Sequence, residues 1–418
     1  MSAIKDAVRA AAYPGFALGL WLIGTHAASA EVQYNPRVEI GASYDDNANL
    51  SDTSADRVKT FGEDIDARLE VHWLEPSSEF RLTPVVTGAN YPGNTDLDSN
   101  GEFLYLYGEE HGPRYTASAY GYVSSQALLR NYLPTAVLGA GLGQAEPGTT
   151  LGVLSATRQD LEYIDPNYSL QITPRRKLEL NASFTDATYN RQIVGGYTNY
   201  TDTTGSAGLV MDATQTGSVT MRVTGDAFRP VVGSDTNTYG FETEWDGHFS
   251  ATKLYYLRLG VERSDFSAVS TTAVSTTLVN PPSQTTLSGG LGTHWTYQVT
   301  DLFADLTRNV APTAQGYAVK QTQLRLRLSH RVTERFATFV GVRGIIQDPF
   351  RDVIATEHYV FGTGGFEWRV LRQCSLVGAY DVTGAKYGGP SALSNAVHIS
   401  FVYEPNRLAD GPAITVGY

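Results

Sequence analysis

The chain has 418 residues, of which 42% are hydrophobic and 18% charged, and this apolar share excludes a disordered protein. Its 43 acidic residues outnumber its 31 basic residues, which argues against a nucleic-acid partner because phosphate binding needs clustered Lys and Arg. The single cysteine excludes an internal disulfide and a cysteine-ligated zinc or iron–sulfur centre.

The first thirty residues predict a secretory signal peptide. A short basic segment precedes an apolar stretch from Ala10 to Thr25, and Ala28-Ser29-Ala30 then supplies the small residues that signal peptidase needs. The apolar stretch is shorter than the roughly 20 residues of a transmembrane helix. We therefore expect cleavage after Ala30 and export of residues 31–418 as one domain without a transmembrane helix.

Apolar and polar residues alternate along many segments of the exported chain. In segment 65–73, the apolar residues Ile65, Leu69 and Trp73 occupy odd-numbered positions, whereas the charged residues Asp66 and Arg68 occupy even-numbered positions. Only a β-strand puts alternate residues on opposite faces. The same alternation recurs in segments 219–223, 239–245, 257–262, 324–328 and 397–403.

The connections between these segments alternate between short and long. Short ones lie at 75–78, 109–114, 174–177, 215–217, 250–253, 298–301, 332–334 and 371–373. Long ones, rich in Asp, Asn, Gly, Thr and Ser, lie at 47–60, 92–101, 127–160, 190–202, 230–237, 267–283, 311–318, 347–355 and 386–394. Short periplasmic turns and long extracellular loops are typical of transmembrane β-barrels.

The sequence therefore predicts an all-β fold, an antiparallel transmembrane barrel in the bacterial outer membrane. We expect about 18 strands, the first starting near Arg37 and the last ending near Glu404. Sixteen strands is the alternative, because segment 127–165 can be read either as a folded loop or as a strand extension. Either segment 397–403 or the C-terminal segment 414–418 supplies the closing strand, since both carry apolar residues at alternate positions.

Aromatic residues cluster where the predicted strands meet the short turns. They are Trp73, Phe80, Tyr107, Tyr115, Trp295, Phe303, Phe336, Trp368 and Tyr403. Amphipathic rings prefer the headgroup level of a bilayer, so these positions predict a periplasmic aromatic girdle.

The opening segment Val38 to Ser51, followed by the strand 65–73, resembles the β-barrel porin type 2 family. The compact motif that carries the resemblance is Gly41-x-x-Tyr44-x-Asp46-Asn47. Relatives in this family include outer-membrane β-barrel proteins found with exopolysaccharide and exosortase systems. The resemblance implies an outer-membrane barrel and offers no catalytic residues to carry over.

Three arrangements suggest other chemistry. His398-Ile-Ser400 resembles the His-x-Ser pair of an outer-membrane phospholipase, but the alternation places both side chains in the lumen, away from lipid. Asp96 to Gly101 matches the first half of an EF-hand calcium loop, and the match then fails because Tyr107 occupies the position of the bidentate Glu. The glycines of segments 139–143 and 362–365 do not lie between a strand and a helix, so they do not predict a nucleotide site. We expect no enzyme activity, cofactor or metal.

Alternation also predicts which polar residues line the lumen. They are Asp66, Arg68, Glu70, Arg222, Glu242, Glu244, Asp246, Arg258, Glu262, Arg325, Arg327, Arg343 and Glu367. Charges of both signs keep a lumen hydrated and bias which solutes pass. We therefore expect a passive, porin-like channel for small hydrophilic solutes.

The alternative function is that of a structural or accessory outer-membrane barrel of an exopolysaccharide or envelope assembly system. The expected partners are outer-membrane lipid and lipopolysaccharide, the outer-membrane assembly machinery, and small hydrophilic solutes or polysaccharide.

Overall fold

The computed structural model describes residues 31–94, 97–127, 157–190, 197–268, 282–350, 355–387 and 389–406. Within these ranges the chain forms 18 β-strands. They are Glu31–Asp45 (β1), Thr60–Glu75 (β2), Ser78–Asn90 (β3), Ser99–His111 (β4), Tyr115–Ala127 (β5), Arg158–Thr173 (β6), Arg176–Tyr189 (β7), Tyr200–Thr214 (β8), Gly217–Pro230 (β9), Ser234–Ser250 (β10), Lys253–Ala268 (β11), Gln284–Tyr297 (β12), Thr300–Pro312 (β13), Ala318–Arg331 (β14), Phe336–Pro349 (β15), Glu357–Leu371 (β16), Cys374–Tyr387 (β17) and Ser391–Tyr403 (β18).

Each strand pairs antiparallel with its neighbours in sequence, and β1 also pairs with β18. The sheet is therefore closed, which confirms the predicted all-β antiparallel barrel of 18 strands and makes the alternative of 16 wrong. Closure leaves no sheet edge, the condition under which strands can cross a membrane. No helix among the described residues is long and apolar enough to span a membrane.

The alternation in the sequence becomes two different faces of the sheet. On β14, Leu324, Leu326 and Leu328 are 37–41% exposed, whereas the side chain of Arg325 between them is 12% exposed. The same parity holds on β18, where Val397, Ile399 and Phe401 are exposed and Ser400 is buried. The outer face of the barrel is thus apolar and the inner face is polar.

The two ends of the barrel differ, but less regularly than predicted. At one end, turns of two to four residues join β2–β3, β4–β5, β6–β7, β8–β9, β10–β11, β12–β13, β14–β15 and β16–β17; we call it the turn end, and the opposite end the loop end. At the loop end, the long connections predicted at 230–237 and 386–394 are wrong, because only 231–233 and 388–390 lie between strands. Thr236 and Thr238 are buried on the inner face of β10. The polar residues of this segment therefore belong to the strand and not to a loop.

The predicted aromatic girdle is correct for most of its members. Trp295, Trp368 and Tyr403 are exposed on the outer face near the turn end. Phe303 and Tyr107 are exceptions. Phe303 shares the inward parity of Asp301 and Asp305, and Tyr107 shares that of Tyr105. Because alternate residues of a strand face opposite sides of the sheet, both rings lie on the inner face, although aromatic rings prefer the headgroup level.

Segment 41–47 lies at the seam where β1 meets β18. Asp46 accepts hydrogen bonds of 2.8 Å from both the backbone N–H and the side-chain amide of Asn395. Asn47 donates from its side chain to the carbonyl oxygens of Leu393 and Ser51, at 2.8 and 2.9 Å. These polar residues thus join the first strand to the last at the loop end. Of the two candidate closing segments, 397–403 forms β18, and 414–418 lies outside the described residues, as do segments 1–30 and 139–143.

Candidate functional site on the inner face of the barrel

The inner face between β7 and β11 carries a network of alternating charges. Arg222 on β9 donates a hydrogen bond to Glu242 on β10. Arg258 on β11 lies 3.7 Å from the other oxygen of Glu242 and 4.0 Å from Glu244. Four of the predicted lumen residues therefore meet in one cluster of two guanidinium groups and two carboxylates.

This network extends to β7 because glycine occupies the strand between. Glu179 on β7 pairs in register with Gly208 on β8, and Gly208 pairs with Arg222 on β9. A missing side chain at Gly208 lets the Glu179 carboxylate approach to 3.8 Å from Arg222, and Lys177 contacts the same carboxylate at 2.7 Å. Glu179 and Lys177 were not predicted from the sequence, although both have the inward parity.

Asp246 and Glu262 lie at the two ends of this region. Asp246 follows Glu244 on the inner face of β10, toward the turn end. Glu262 accepts a 3.1 Å hydrogen bond from the backbone N–H of Val310. That contact crosses from β11 to β13, past β12.

A second charged cluster occupies β11 to β14. Arg325 on β14 donates to the fully buried carboxylate of Asp305 on β13, with its Nε 3.1 Å from Oδ2. Tyr256 on β11 donates to the other oxygen of the same carboxylate. Tyr256 can span β12 because Gly292 is there, where a Cβ atom would overlap its ring. Asp305 therefore binds the guanidinium of the adjacent strand β14 and the phenol hydroxyl of β11, two strands away.

The ring of Phe303 lies close to both arginines of β14. The guanidinium carbons of Arg325 and Arg327 lie 5.4 and 5.8 Å from the centre of its ring, a geometry that gives cation–π attraction. Arg327 also lies 3.6 Å from Asp301 and is 48% exposed. Of the two arginines, Arg327 is thus the one open to solvent.

The remaining predicted residues have local partners and do not join these clusters. Arg68 lies 3.2 Å from Asp66, and Glu70 accepts from Asn35 at 3.2 Å. Glu367 is buried and accepts from Ser375 at 2.8 Å. When the Gln323 amide is oriented with its oxygen toward Arg343, that oxygen accepts from the guanidinium at 3.0 and 3.1 Å.

His398 and Ser400 lie on the inner face of β18, as the alternation predicted. Ser400 donates a hydrogen bond to Glu39 and not to His398, whose Nε2 lies 3.9 Å from the same carboxylate. A nucleophilic serine needs a histidine within hydrogen-bond reach as its base. The pair therefore lacks the contact that a lipase would use.

Asp45, Asp46 and Asp56, at the first loop, accept hydrogen bonds. Asp45 accepts from the backbone N–H of Asn47 and the hydroxyl of Ser394, at 2.7 and 2.8 Å. In the second loop Asp98 accepts from the Tyr91 backbone N–H at 2.7 Å, and Asp96 lies outside the described residues. Within the described ranges, no group of three or more His, Cys, Asp or Glu side chains is arranged to hold a metal.

Aromatic side chains cover the inner face of β4 to β9 toward the loop end. Tyr105, Tyr122 and Tyr163 stand side by side in register on β4, β5 and β6, with ring centres 5.7 and 5.5 Å apart. Tyr200 and Phe228 continue the surface on β8 and β9. The alternation in the sequence could have shown this surface, which our reading of charged residues alone missed.

The chain was compared with known proteins. No family model matches the sequence, and no curated protein matches it. Among solved structures it is similar to Acinetobacter baumannii OccAB3, with 9% identity, a TM-score of 0.42, and coverage of 89% of this chain and 99% of that one. It is also similar to Pseudomonas aeruginosa OccK2 (OpdF), with 7% identity, a TM-score of 0.45, and coverage of 90% and 98%. A third is P. aeruginosa OprD, with 8% identity, a TM-score of 0.41, and coverage of 89% and 95%. The likeness is one of barrel architecture.

Proposed function

We propose that the chain is a passive outer-membrane channel for small hydrophilic solutes. The observation that carries the proposal is the combination of an apolar outer face with an inner face of solvated ion pairs. Side chains such as Arg222, Glu242 and Arg258 are each 12–16% exposed, so they retain contact with water inside a closed cylinder. A cylinder of 18 strands is wide enough to leave an aqueous interior.

The role of the predicted lumen residues belongs to the same proposal. Charges of both signs along the wall of a lumen bias the passage of ions. The cluster of Arg222, Glu242, Glu244 and Arg258 on β9 to β11 is one candidate filter, and Arg325 with Arg327 on β14, three strands further round the wall, is a second. No catalytic step is assigned to any of them.

Conductance in planar bilayers tests the proposal. We expect discrete open steps from the purified chain, and a reversal potential that moves toward anions in Glu242→Gln, because a negative charge leaves the lumen. Glu63→Gln is the matched control, since Glu63 is exposed on the outer face of β2 and its loss should leave the reversal potential unchanged. A chain that inserts and never conducts would contradict the channel.

The second candidate is an accessory barrel of an envelope polysaccharide system. The connection between β13 and β14 supports it, because Ala314 of that connection packs against the buried rings of Tyr105 and Tyr122 on the inner face and so narrows the lumen. The resemblance of the seam motif to the β-barrel porin type 2 family favours the same setting. Insertion without conductance, together with quenching of tyrosine fluorescence by an oligosaccharide, would favour this candidate over an open pore.

Outer-membrane localisation and the signal peptide are part of the proposal. An apolar outer face on a closed barrel needs lipid around it, and outer membranes are where such barrels occur. Recovery in the outer-membrane fraction with a mature N-terminus at Glu31 is the expected result. A soluble periplasmic pool would contradict it.

A further inference from the structure

Two carboxyl groups lie side by side on the inner face of β8 and β9. Asp202 of β8 pairs in register with Phe228 of β9, and Asp226 lies two residues closer to the turn end. The two carboxyl groups are within hydrogen-bonding reach of each other. Asp202 is 8% exposed, and its Oδ1 atom is buried without a hydrogen-bond partner among the described residues. Two carboxylates in contact repel each other, so the pair is stable only with a proton or a cation beside it.

A buried hydroxyl group near the pair favours a bound cation over a proton alone. Tyr200 lies two residues from Asp202 on the same face of β8, close enough for an electrostatic interaction with it. The Tyr200 side chain is 2% exposed, and its hydroxyl has no hydrogen-bond partner in the part of the chain that the structure describes. A proton shared by the two carboxyl groups leaves this hydroxyl unpartnered, which costs free energy in a buried site. The oxygen shell of a hydrated cation offers it a partner.

Hydroxyl groups flank both carboxylates on the same inner face. Thr185 of β7 lies opposite Asp202, and Thr238 of β10 lies opposite Asp226. Both threonines are buried. Thr204 of β8 is in register with Asp226 from the other side. The pair is thus surrounded by oxygen atoms, which are the ligands that hard cations such as calcium take.

The arginines of β9 are engaged elsewhere. Arg222 has the inward parity of Asp226 but lies four residues closer to the turn end, about 13 Å along the strand, and it is bonded to Glu242. Arg229 has the outward parity and donates to backbone carbonyl oxygens of β9 and β10. On the side of β11, Glu262 adds a further negative charge near Asp226. The local charge is therefore negative, and one divalent cation neutralises two carboxylates.

The connection between β13 and β14, residues 313–317, covers this part of the inner face. Ala314 of the connection belongs to the same buried cluster as Tyr200 and Phe228. Its carbonyl oxygen accepts a 2.7 Å hydrogen bond from the backbone N–H of Thr198, which lies just before β8. The cover limits access of bulk water to the carboxyl pair. Charged groups removed from bulk water need direct partners or ligands, which increases the benefit of a bound cation.

We propose that Asp202 and Asp226 bind a calcium ion on the inner face of β8 and β9. Calcium takes six to eight oxygen ligands in a flexible geometry, so the two carboxylates, the neighbouring hydroxyls and water complete its shell. The ion neutralises the pair and joins β8 to β9 beneath the connection. The site goes beyond the proposed channel and does not depend on it, because a barrel that does not conduct can still hold the ion.

Terbium luminescence of the full chain in a neutral detergent tests this site, because terbium(III) replaces calcium and nearby tyrosines transfer excitation to it. We expect tyrosine-excited luminescence at neutral pH that calcium displaces. Each carboxylate supplies charge to the ion, so the affinity for terbium should fall about tenfold or more in Asp202→Asn and in Asp226→Asn. Asp186→Asn is the matched control, because Asp186 follows Thr185 on β7 and has the outward parity. It should bind terbium as the wild type does.

Three results would overturn the site. The wild type could show no calcium-sensitive luminescence, which is the result for a pair that only shares a proton. The Asp202→Asn and Asp226→Asn variants could bind terbium as tightly as the wild type, or Asp186→Asn could lose binding to the same extent.

Heat-modifiable migration checks that each variant is folded. The wild type alone provides a second test, since calcium should raise its urea midpoint relative to a chelator, and an unchanged midpoint would contradict the site. Conductance separates this proposal from the channel. Calcium binding by a silent barrel leaves the site intact, and conduction without calcium binding leaves the channel intact.

Discussion

His398 and Asp64 approach to 3.6 Å, from Nδ1 to Oδ1, although they lie on β18 and β2 with β1 between them. Gly41 makes the contact possible. It pairs in register with Asp64 and with Ser400, and a Cβ atom at this position would lie 2.6 Å from the Asp64 carboxylate and 2.8 Å from the His398 ring. Gly41 therefore lets the last strand interact with the second.

Gly41→Ala should weaken the seam. The added methyl group displaces both side chains and separates the pair, and overpacking of this kind costs about 1–3 kcal/mol of the free energy of unfolding. Urea unfolding of the reconstituted barrel measures it. Gly205→Ala is the control, because no atom lies within 4 Å of a Cβ atom at Gly205. Equal stability of the two variants would show that the His398–Asp64 contact is unimportant for closure.

Arg325 and Arg327 should behave differently on replacement by Glu. Arg327 is half exposed, so Arg327→Glu should leave folding intact and move the reversal potential toward cations. Arg325→Glu puts a second carboxylate against buried Asp305, and breaking a buried pair costs about 3–5 kcal/mol. Urea titration measures this loss, which Arg325→Gln combined with Asp305→Asn should largely avoid. Equal stability of Arg325→Glu and Arg327→Glu would disprove the assigned burial.

The loop end of the seam should weaken in acid through Asp46. Partial burial raises the pKa of Asp46, but hydrogen bonds from Asn395 and the nearby Arg57 and Lys59 outweigh burial and hold it below its usual value of 3.8. A carboxyl group with a depressed pKa stabilises the fold above the unfolded pKa, and that contribution disappears as pH falls through the folded pKa.

Asp46→Asn should therefore be less stable than the wild type at neutral pH, and the difference should shrink below pH 3.8. Urea midpoints at a series of pH values measure the difference. Asp56→Asn serves as the comparison, because Asp56 lies in the same loop and accepts from Thr53 and not from the last strand. A difference that does not change with pH would contradict the role of Asp46.

The orientation of the barrel is a further prediction. Connections at the loop end should face the outside, because turns on the periplasmic side of such barrels are short. In a Cys374→Ser background, an impermeant thiol reagent should label Asp56→Cys and Asn94→Cys in intact cells. It should label Ser77→Cys and Arg176→Cys only after the cells are broken. Labelling of Ser77→Cys in intact cells would reverse the topology.

Most of the fold followed from the alternation in the sequence, since a period of two determines both the strand and the face of each residue. The alternation alone predicted the number of strands and the inward orientation of Arg325 and Glu242. The ends of β10 and β18 were mispredicted, because polar residues such as Ser234 and Ser394 are compatible with a loop and also with the inner face of a strand.

The partners of the charged residues could not be predicted in the same way. Asp305 meets Arg325 and Tyr256 only because of the register between four strands and a glycine on one of them. Register depends on the closure of the whole sheet, which no local pattern encodes. The aromatic residues around Tyr122 occupy inward positions, so the alternation that predicts the charged lumen residues also predicts this surface.

Contacts that pass over Gly208 have a mechanical consequence. Glu179 and Arg222 lie on alternate strands, so their contact spans two inter-strand spacings, about 9.5 Å of circumference. Arg222 then continues to Glu242 and, through it, to Arg258, which makes a chain of charges from β7 to β11. Such a chain opposes both widening and flattening of the cylinder over that arc. The cross-section is consequently stiffer there than at β12 and β13, because the backbones of those two strands separate toward the loop end. Thermal fluctuations in the shape of the barrel should be largest at that separation.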